Sequence, residues 1–228
     1  MFQGLEDRLA RVRDEIARVQ AAEGLTHPVT IVAVTKGHPP AAALAAARAG
    51  LGDVGENRVQ EAIEKIAAAA DAPVRWHLIG HVQTNKARFV PERFALVHSV
   101  DSARLAEALS RAAAKAGAML PVLVQVNVAR EPQKGGCPPA EAAALVARCT
   151  ALPGLAVRGL MAMAPLTEDE HEQRAVFRGL RELRDGIATA ECPLSELSMG
   201  MSGDYPAAVA EGATMLRLGT VLFGERTG

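Results

Sequence analysis

Aromatic residues make up only 3% of the 228-residue chain, with one Trp and one Tyr, so its core must be packed from Ala, Val, Leu and Ile. Cysteine is scarce too. Cys137, Cys149 and Cys192 are odd in number, and none stands in a CxxC pair. That argues against a disulfide framework or a structural zinc site and fits a reducing cytoplasm. An excess of charge of one sign is also missing, because Lys+Arg 25 against Asp+Glu 26 leaves a net charge of -1. A whole-chain basic footprint for nucleic acid or an anionic membrane is thereby excluded. No run approaches the ~20 apolar residues of a membrane span. The opening MFQGLEDRLARVRDEIARV lacks the apolar centre of a secretory signal. What is there is an ordinary globular balance, 49% hydrophobic and 22% charged, which excludes disorder as the main state. The expectation is a compact, soluble, cytoplasmic protein.

Leu5, Leu9, Val12, Ile16 and Val19 recur at three- and four-residue steps and predict a leading helix, stopped by Gly24 and Pro28. Apolar, β-rich runs and helical patterns then alternate. The runs are Thr30 to Thr35, Gly52 to Gly55, Arg75 to Ile79, Ala95 to Ser99, Pro121 to Val128, Leu155 to Met163, Leu194 to Ser198 and Met215 to Leu218. A helical segment or turn follows each, the last beginning at Thr220. Apolar strands each followed by a helix predict a parallel sheet covered on both faces. Eight such units with no linker between them predict a single α/β domain over 1–228, a (β/α)8 TIM barrel with an additional N-terminal helix. A doubly wound open sheet is the rival.

In such a barrel the residues just past the strand ends meet at one mouth. Here these are Lys36, Glu56, Asn57, Gly80, His81, Asp101, Asn127, Met161, Met163, Ser198 to Ser202 and Arg217 to Thr220. Lys36 closes an apolar strand. Partial burial there disfavours the ammonium form and makes a nucleophilic amine available for a Schiff base. The loop Ser198-Met-Gly-Met-Ser-Gly203 and the segment Arg217-Leu-Gly-Thr220 each lead into a helix. Their small residues, hydroxyls and backbone N–H groups predict a phosphate cup after strands seven and eight. An amine on strand one facing a phosphate cup points to pyridoxal 5'-phosphate, PLP, which carries an aldehyde and a phosphate on one ring. A phosphosugar barrel using Lys36 for an aldolase-type imine is the alternative from these residues alone.

Val34-Thr35-Lys36, Gly55-Glu-Asn-Arg-Val-Gln-Glu61, Trp76-His-Leu-Ile-Gly80, Gln83-Thr-Asn-Lys86, Gly159-Leu-Met-Ala-Met163, Ser198-Met-Gly-Met-Ser202 and Arg217-Leu-Gly-Thr220 together resemble the pyridoxal-phosphate homeostasis proteins. These are stand-alone, fold type III PLP barrels similar to the N-terminal domain of alanine racemase. The resemblance runs in order from about Thr30 to Arg226. It implies that Lys36 holds PLP as an internal aldimine and that Ser202, Gly219 and Thr220 bind the phosphate. It implies that Arg217 faces the pyridine nitrogen and that Asn57 is a polar residue near the ring. It also implies a role in PLP homeostasis, with the cofactor buffered and passed to PLP-dependent apo-enzymes.

A guanidinium is always protonated and can only donate to that nitrogen, which weakens the ring as an electron sink. Alanine-racemase relatives take a second base, a tyrosine, from an additional C-terminal domain of the partner subunit, and this chain ends at Gly228 without one. Its one tyrosine, Tyr205, reads as a solvent-facing helix residue. No catalytic residue is therefore assigned, and a weakly active amino-acid racemase is the alternative function. Loss of the racemase-type second domain favours a monomer. Lys134, in the polar loop Glu131-Pro-Gln-Lys-Gly-Gly136, reads as a second, mobile amine for a transient cofactor contact. Cys137 affects only that loop.

Gly50-Leu-Gly-Asp-Val-Gly55 matches a dinucleotide fingerprint by letters, but a helix precedes it and its strand lies inside it. Six histidines show no metal-ligand spacing. His77 reads as a hydrogen-bonded core residue and His81 as a mouth residue within reach of a ligand. His38 receives no role, and Glu182 and Arg184 read as an ordinary solvated helix face.

Overall fold

The computed structural model describes residues 2–131 and 133–225. Pro132 of the polar loop and Arg226, at the end of the family resemblance, lie outside the described residues. Strands β1 (Thr30–Val34), β2 (Asp53–Glu56), β3 (Arg75–Leu78), β4 (Leu96–Val100), β5 (Leu120–Gln125), β6 (Leu155–Met161), β7 (Glu196–Ser198) and β8 (Met215–Leu218) close into a barrel in sequence order. Each pairs in parallel with the next. The seam is β1 on β8, with Thr30 beside Met215 and Val32 beside Arg217. Closure decides against the open sheet.

Helices α1 (Leu5–Glu23), α2 (Ala41–Arg48), α3 (Val59–Ala68), α4 (Ala103–Ala116), α5 (Ala142–Ala151), α6 (Glu170–Ile187), α7 (Tyr205–Ala210) and α8 (Thr220–Phe223) accompany the strands, and a 3-10 helix at Thr84–Phe89 follows β3. In α1 the five residues of the expected stripe are the buried ones, and Gly24 ends the helix in the left-handed conformation. The strand in the Gly50–Gly55 motif begins at Asp53, so the fingerprint has the wrong context. β5 stops at Gln125, short of the expected Val128, because the backbone of Asn127 turns to bond Cys137 and its side chain caps the loop at Glu131 and Lys134.

Alternation along the strands separates two layers. Outward residues such as Ala33, Val54, Leu78, Val97, Val122, Leu160, Leu197 and Leu216 pack under the helices in one large apolar cluster. The inner cluster is small: Leu96, Leu123 and Met161, with Met163 and Met215 against it. Beside these and Val32 and Val34, the barrel interior holds polar residues, Asp53, His77, His98, Ser198 and Arg217, all buried. Polar groups inside a barrel sacrifice apolar burial, and each such group needs a partner. Among the described residues no helix is long and apolar enough to cross a membrane.

Candidate functional site

The strand period sets the mouth. Val34 and Lys36 lie two residues apart at the end of β1 and face inward together, whereas Thr35 between them faces α3. Met161 and Met163 at the end of β6, and Arg217 and Gly219 at the end of β8, follow the same rule. The result is a cavity of about 430 Å³ at the C-terminal ends of the strands, within the size range of small-molecule sites. Lys36, Asn57, Ser202, Arg217, Gly219 and Thr220, every site residue expected from sequence, line it.

The loop after β7 and the start of α8 form one wall. Backbone N–H groups of Gly219 and Val221 converge on Ser202 Oγ at 3.3 and 3.2 Å. Gly200, at φ 93, lets this loop turn tightly against α7, where a Cβ would lie 2.6 Å from that of Ala208. Asp204 anchors the loop by accepting the Met201 N–H, and burial raises its carboxyl above the ordinary value against the pull of that bond and of Arg217. Across the mouth Gly80 lies directly on the backbone of Asn57, and a Cβ on Gly80 would come within 2.4 Å of the Asn57 carbonyl oxygen. Only glycine lets these two loops touch.

Arg217 is 4% exposed. Its Nη1 donates to Ser198 Oγ at 2.7 Å and its Nη2 to the Ala162 carbonyl at 3.0 Å. Burial lowers its pKa to about 10, with Asp204 opposing, so it stays a cation at neutral pH. Behind Lys36, Glu56 is fully buried and accepts from Thr35 Oγ1 and from Lys65 Nζ at 2.7 Å. Lys65 Nζ also donates to the Thr35 carbonyl at 2.8 Å, so this ion pair clamps the segment that carries Lys36. Burial raises the Glu56 pKa, and Lys65 and Thr35 offset this only partly.

Several expectations need correction. Glu56 turns out of the barrel toward Lys65, Ser198 is buried below the mouth, and Asp101 and Asn127 are not among the cavity-lining residues. Lys134 is not a loose amine, because its Nζ donates to Glu131 Oε1 and to the Ala164 carbonyl. Tyr205 is half-buried against the core rather than solvent-facing, and burial raises its pKa. Arg184 pairs with Asp185, but its neighbours Arg174, Arg178 and Arg181 converge on buried Glu211, so that face is more than solvated. His81 does line the mouth, 3.4 Å from Asp101. His77 is hydrogen-bonded in the core as expected.

Sequence reasoning missed His38, which lines the cavity and packs edge-on against Phe2 and beside Phe223. It also missed Gln125 at the cavity floor, Lys65, and the roles of Asp53 and His98. The available signal was a polar side chain at an inward position on each of three successive strands, Asp53, His77 and His98.

The alanine racemase N-terminal domain family matches residues 8–227. A pyridoxal phosphate homeostasis protein of Pseudomonas aeruginosa is 43% identical over 224 residues, covering 97% of this chain and 96% of that one. The chain belongs to this family. A relative of the same description in Escherichia coli is 39% identical, over 96% of this chain and 95% of its own length. Among solved structures of family members, PipY of Synechococcus elongatus with PLP bound superposes with a TM-score of 0.83 at 42% identity, covering 96% of this chain and all of that one. Alanine racemase of Clostridium difficile shares the fold, with a TM-score of 0.74 at 15% identity, and this chain spans 60% of it.

Proposed function

We propose that this protein binds pyridoxal 5'-phosphate covalently through Lys36 Nζ and serves intracellular PLP homeostasis, buffering the cofactor and delivering it to PLP-dependent apo-enzymes. The observation that carries this reading is the convergence of an amine, a phosphate-type donor set and a guanidinium on one cavity. When bound, the group supplies an aldehyde for a reversible imine and a ring able to withdraw electrons. Lys36 supplies the amine, held by the Thr35–Lys65–Glu56 clamp. The Ser202 hydroxyl, which accepts from the N–H groups of Gly219 and Val221, and the Thr220 hydroxyl would supply donors that suit a phosphate. Arg217 offers a donor that never accepts, so it would hold a pyridine nitrogen facing it in the unprotonated form, which would make the ring a weaker electron sink. Asn57 lies across the mouth to border the ring. The name borne by the relatives, and PLP bound in PipY, support the same assignment.

A racemase needs a second acid–base group on the opposite face of the bound ring, and Tyr205 is not among the residues lining the cavity. We therefore read the protein as a carrier rather than a catalyst, a cytoplasmic monomer. Purified protein mixed with PLP is expected to turn yellow. Borohydride reduction followed by peptide mass spectrometry should place the adduct on Lys36, and Lys36→Ala should abolish both signals. The loaded protein should activate a PLP-requiring apo-enzyme. An adduct on another residue, or alanine turnover near the ~10 s⁻¹ common among enzymes, overturns the reading.

A further inference from the structure

The polar interior of the barrel is one continuous line. Arg75, on the rim opposite the mouth, clamps Asp53 through two bonds of 2.8 and 2.7 Å. Asp53 Oδ1 lies 2.8 Å from His77 Nε2, His77 Nδ1 lies 2.9 Å from His98 Nε2, and His98 Nδ1 lies 2.8 Å from Ser198 Oγ. Ser198 Oγ then receives Arg217 Nη1. The line starts on β2, climbs across β3 and β4, and crosses the interior to β7 and β8 on the opposite wall. No neighbouring pair in it is adjacent in sequence, so the barrel alone assembles it.

With both rings neutral, its two ends allow one order in which every donor meets an acceptor. Arg217 has no acceptor, so it donates to Ser198. Burial works against a charged Asp53, but the bonds from His77 and Arg75 prevail and hold its carboxyl below the usual range. That carboxylate only accepts, so His77 donates through Nε2, and a neutral His77 then presents a bare Nδ1 to the Nε2–H of His98. Burial above all drives the His98 pKa well down, with Arg217 adding to it, and keeps that ring neutral. Its Nδ1 is therefore bare and takes the Ser198 hydroxyl proton. All donors point from Arg217 toward Asp53, and every polar atom along the line is satisfied.

This order answers a difficulty at Arg217. A buried guanidinium ordinarily sits against a carboxylate, yet among the described residues none forms an ion pair with Arg217, and Asp204 acts on it only through space. A carboxylate in direct contact would fold the guanidinium toward itself. A serine polarised from behind fixes the same group without drawing it from the mouth. We propose that Asp53, His77, His98 and Ser198 are positioning residues, a one-way hydrogen-bond relay that aims the Arg217 guanidinium at the cofactor's ring. The cofactor half of this statement rests on the function proposed above.

The test has one arm without cofactor and one with it. In the apo protein labelled with nitrogen-15 histidine, the ring shifts should report a proton on His98 Nε2 and a bare Nδ1. Asp53→Asn, which keeps shape but removes charge, should move both His98 signals. In the loaded protein His98→Leu should weaken PLP about tenfold, the scale of one hydrogen bond to a charged group, and displace the absorbance maximum of the bound chromophore. His98→Gln, which keeps one acceptor and one donor, should restore most of both, an outcome that lost packing alone would not give. Where His98→Leu fails to fold, Asp53→Asn carries the same measurement from the far end of the relay. A proton on His98 Nδ1, or PLP affinity and spectrum unchanged in both Asp53→Asn and His98→Leu, overturns the relay. Failure of the wild type to take up PLP overturns the proposed function instead, and the His98 ring shifts still decide the relay.

Discussion

Replacing Lys65 with methionine tests whether the clamp behind Lys36 is held by charge or by packing. Lys65 Nζ is bonded to Glu56 Oε1 at 2.7 Å, Glu61 Oε1 at 3.0 Å and the Thr35 carbonyl at 2.8 Å, with 7% of its side chain exposed. Methionine keeps the volume and removes every bond. Glu56 is fully buried, and its Oε2 has no hydrogen-bond partner, so its charge would be left alone with one bond from Thr35. Breaking a buried ion pair on one side costs about 3–5 kcal/mol. In a protein of this length that lowers Tm by roughly 6–20 °C.

The sign of the pH dependence follows from Glu56. Its folded-state pKa is already raised by burial, so the folded protein binds the proton more tightly than the unfolded chain. Stability linked to this group is therefore full below the ordinary glutamate value and falls as pH rises through the raised one. Lys65→Met removes the main force opposing that rise and widens the window. Urea unfolding at about pH 5 and about pH 8 should show the variant losing more at the higher pH. Adding Glu56→Gln should recover most of the loss at the higher pH and little at the lower. An equal loss at both pH values, with no recovery in the double variant, would refute the reasoning and leave packing as the explanation.

Gly80→Ala should destabilise the fold by about 1–3 kcal/mol and distort the mouth, because its Cβ would sit 2.4 Å from the Asn57 carbonyl oxygen; thermal unfolding and PLP affinity should both fall. Burial pushes the Cys137 thiol up to about 11 and that of Cys149 to about 12, so a thiol reagent should modify Cys192 alone in the native protein and all three cysteines in denaturant. In Glu211, burial works against ionisation but Arg178 and Arg174 outweigh it and lower the pKa. Its contribution is present above the ordinary glutamate value and lost as pH falls through the folded one, so Glu211→Gln should cost about 1–3 kcal/mol near neutrality and almost nothing in acid, read by denaturant midpoints at the two pH values.

How far the site was legible follows from where each residue stands. Lys36 and the Arg217-Leu-Gly-Thr220 segment were readable because each directly ends an apolar run, and the barrel rule then assigns them to the mouth. Glu56 shows the limit of that rule. It too ends a strand, but a strand sends successive side chains to opposite faces, and its own phase places it under α3 with Lys65. Phase requires a fixed register, and no run of four residues declares its own. Lys134 failed for another reason: flanking glycines implied mobility, whereas its amine had acceptors at Glu131 and at Ala164, thirty residues away.

Local periodicity and strand-end chemistry determined the alternating β/α order, the leading helix and the placing of Lys36, Asn57, Ser202 and Arg217 to Thr220 at the strand ends, because those depend on spacings within a few residues. The tertiary structure alone decided that the sheet closes, and closure brings β4 opposite β7 and β8. The Asp53–His77–His98–Ser198–Arg217 line therefore exists only in the folded barrel. Its members are up to 164 residues apart, Asp53 to Arg217, and hydrogen bonds of under 3 Å between such positions are set by three-dimensional register, which no local pattern encodes.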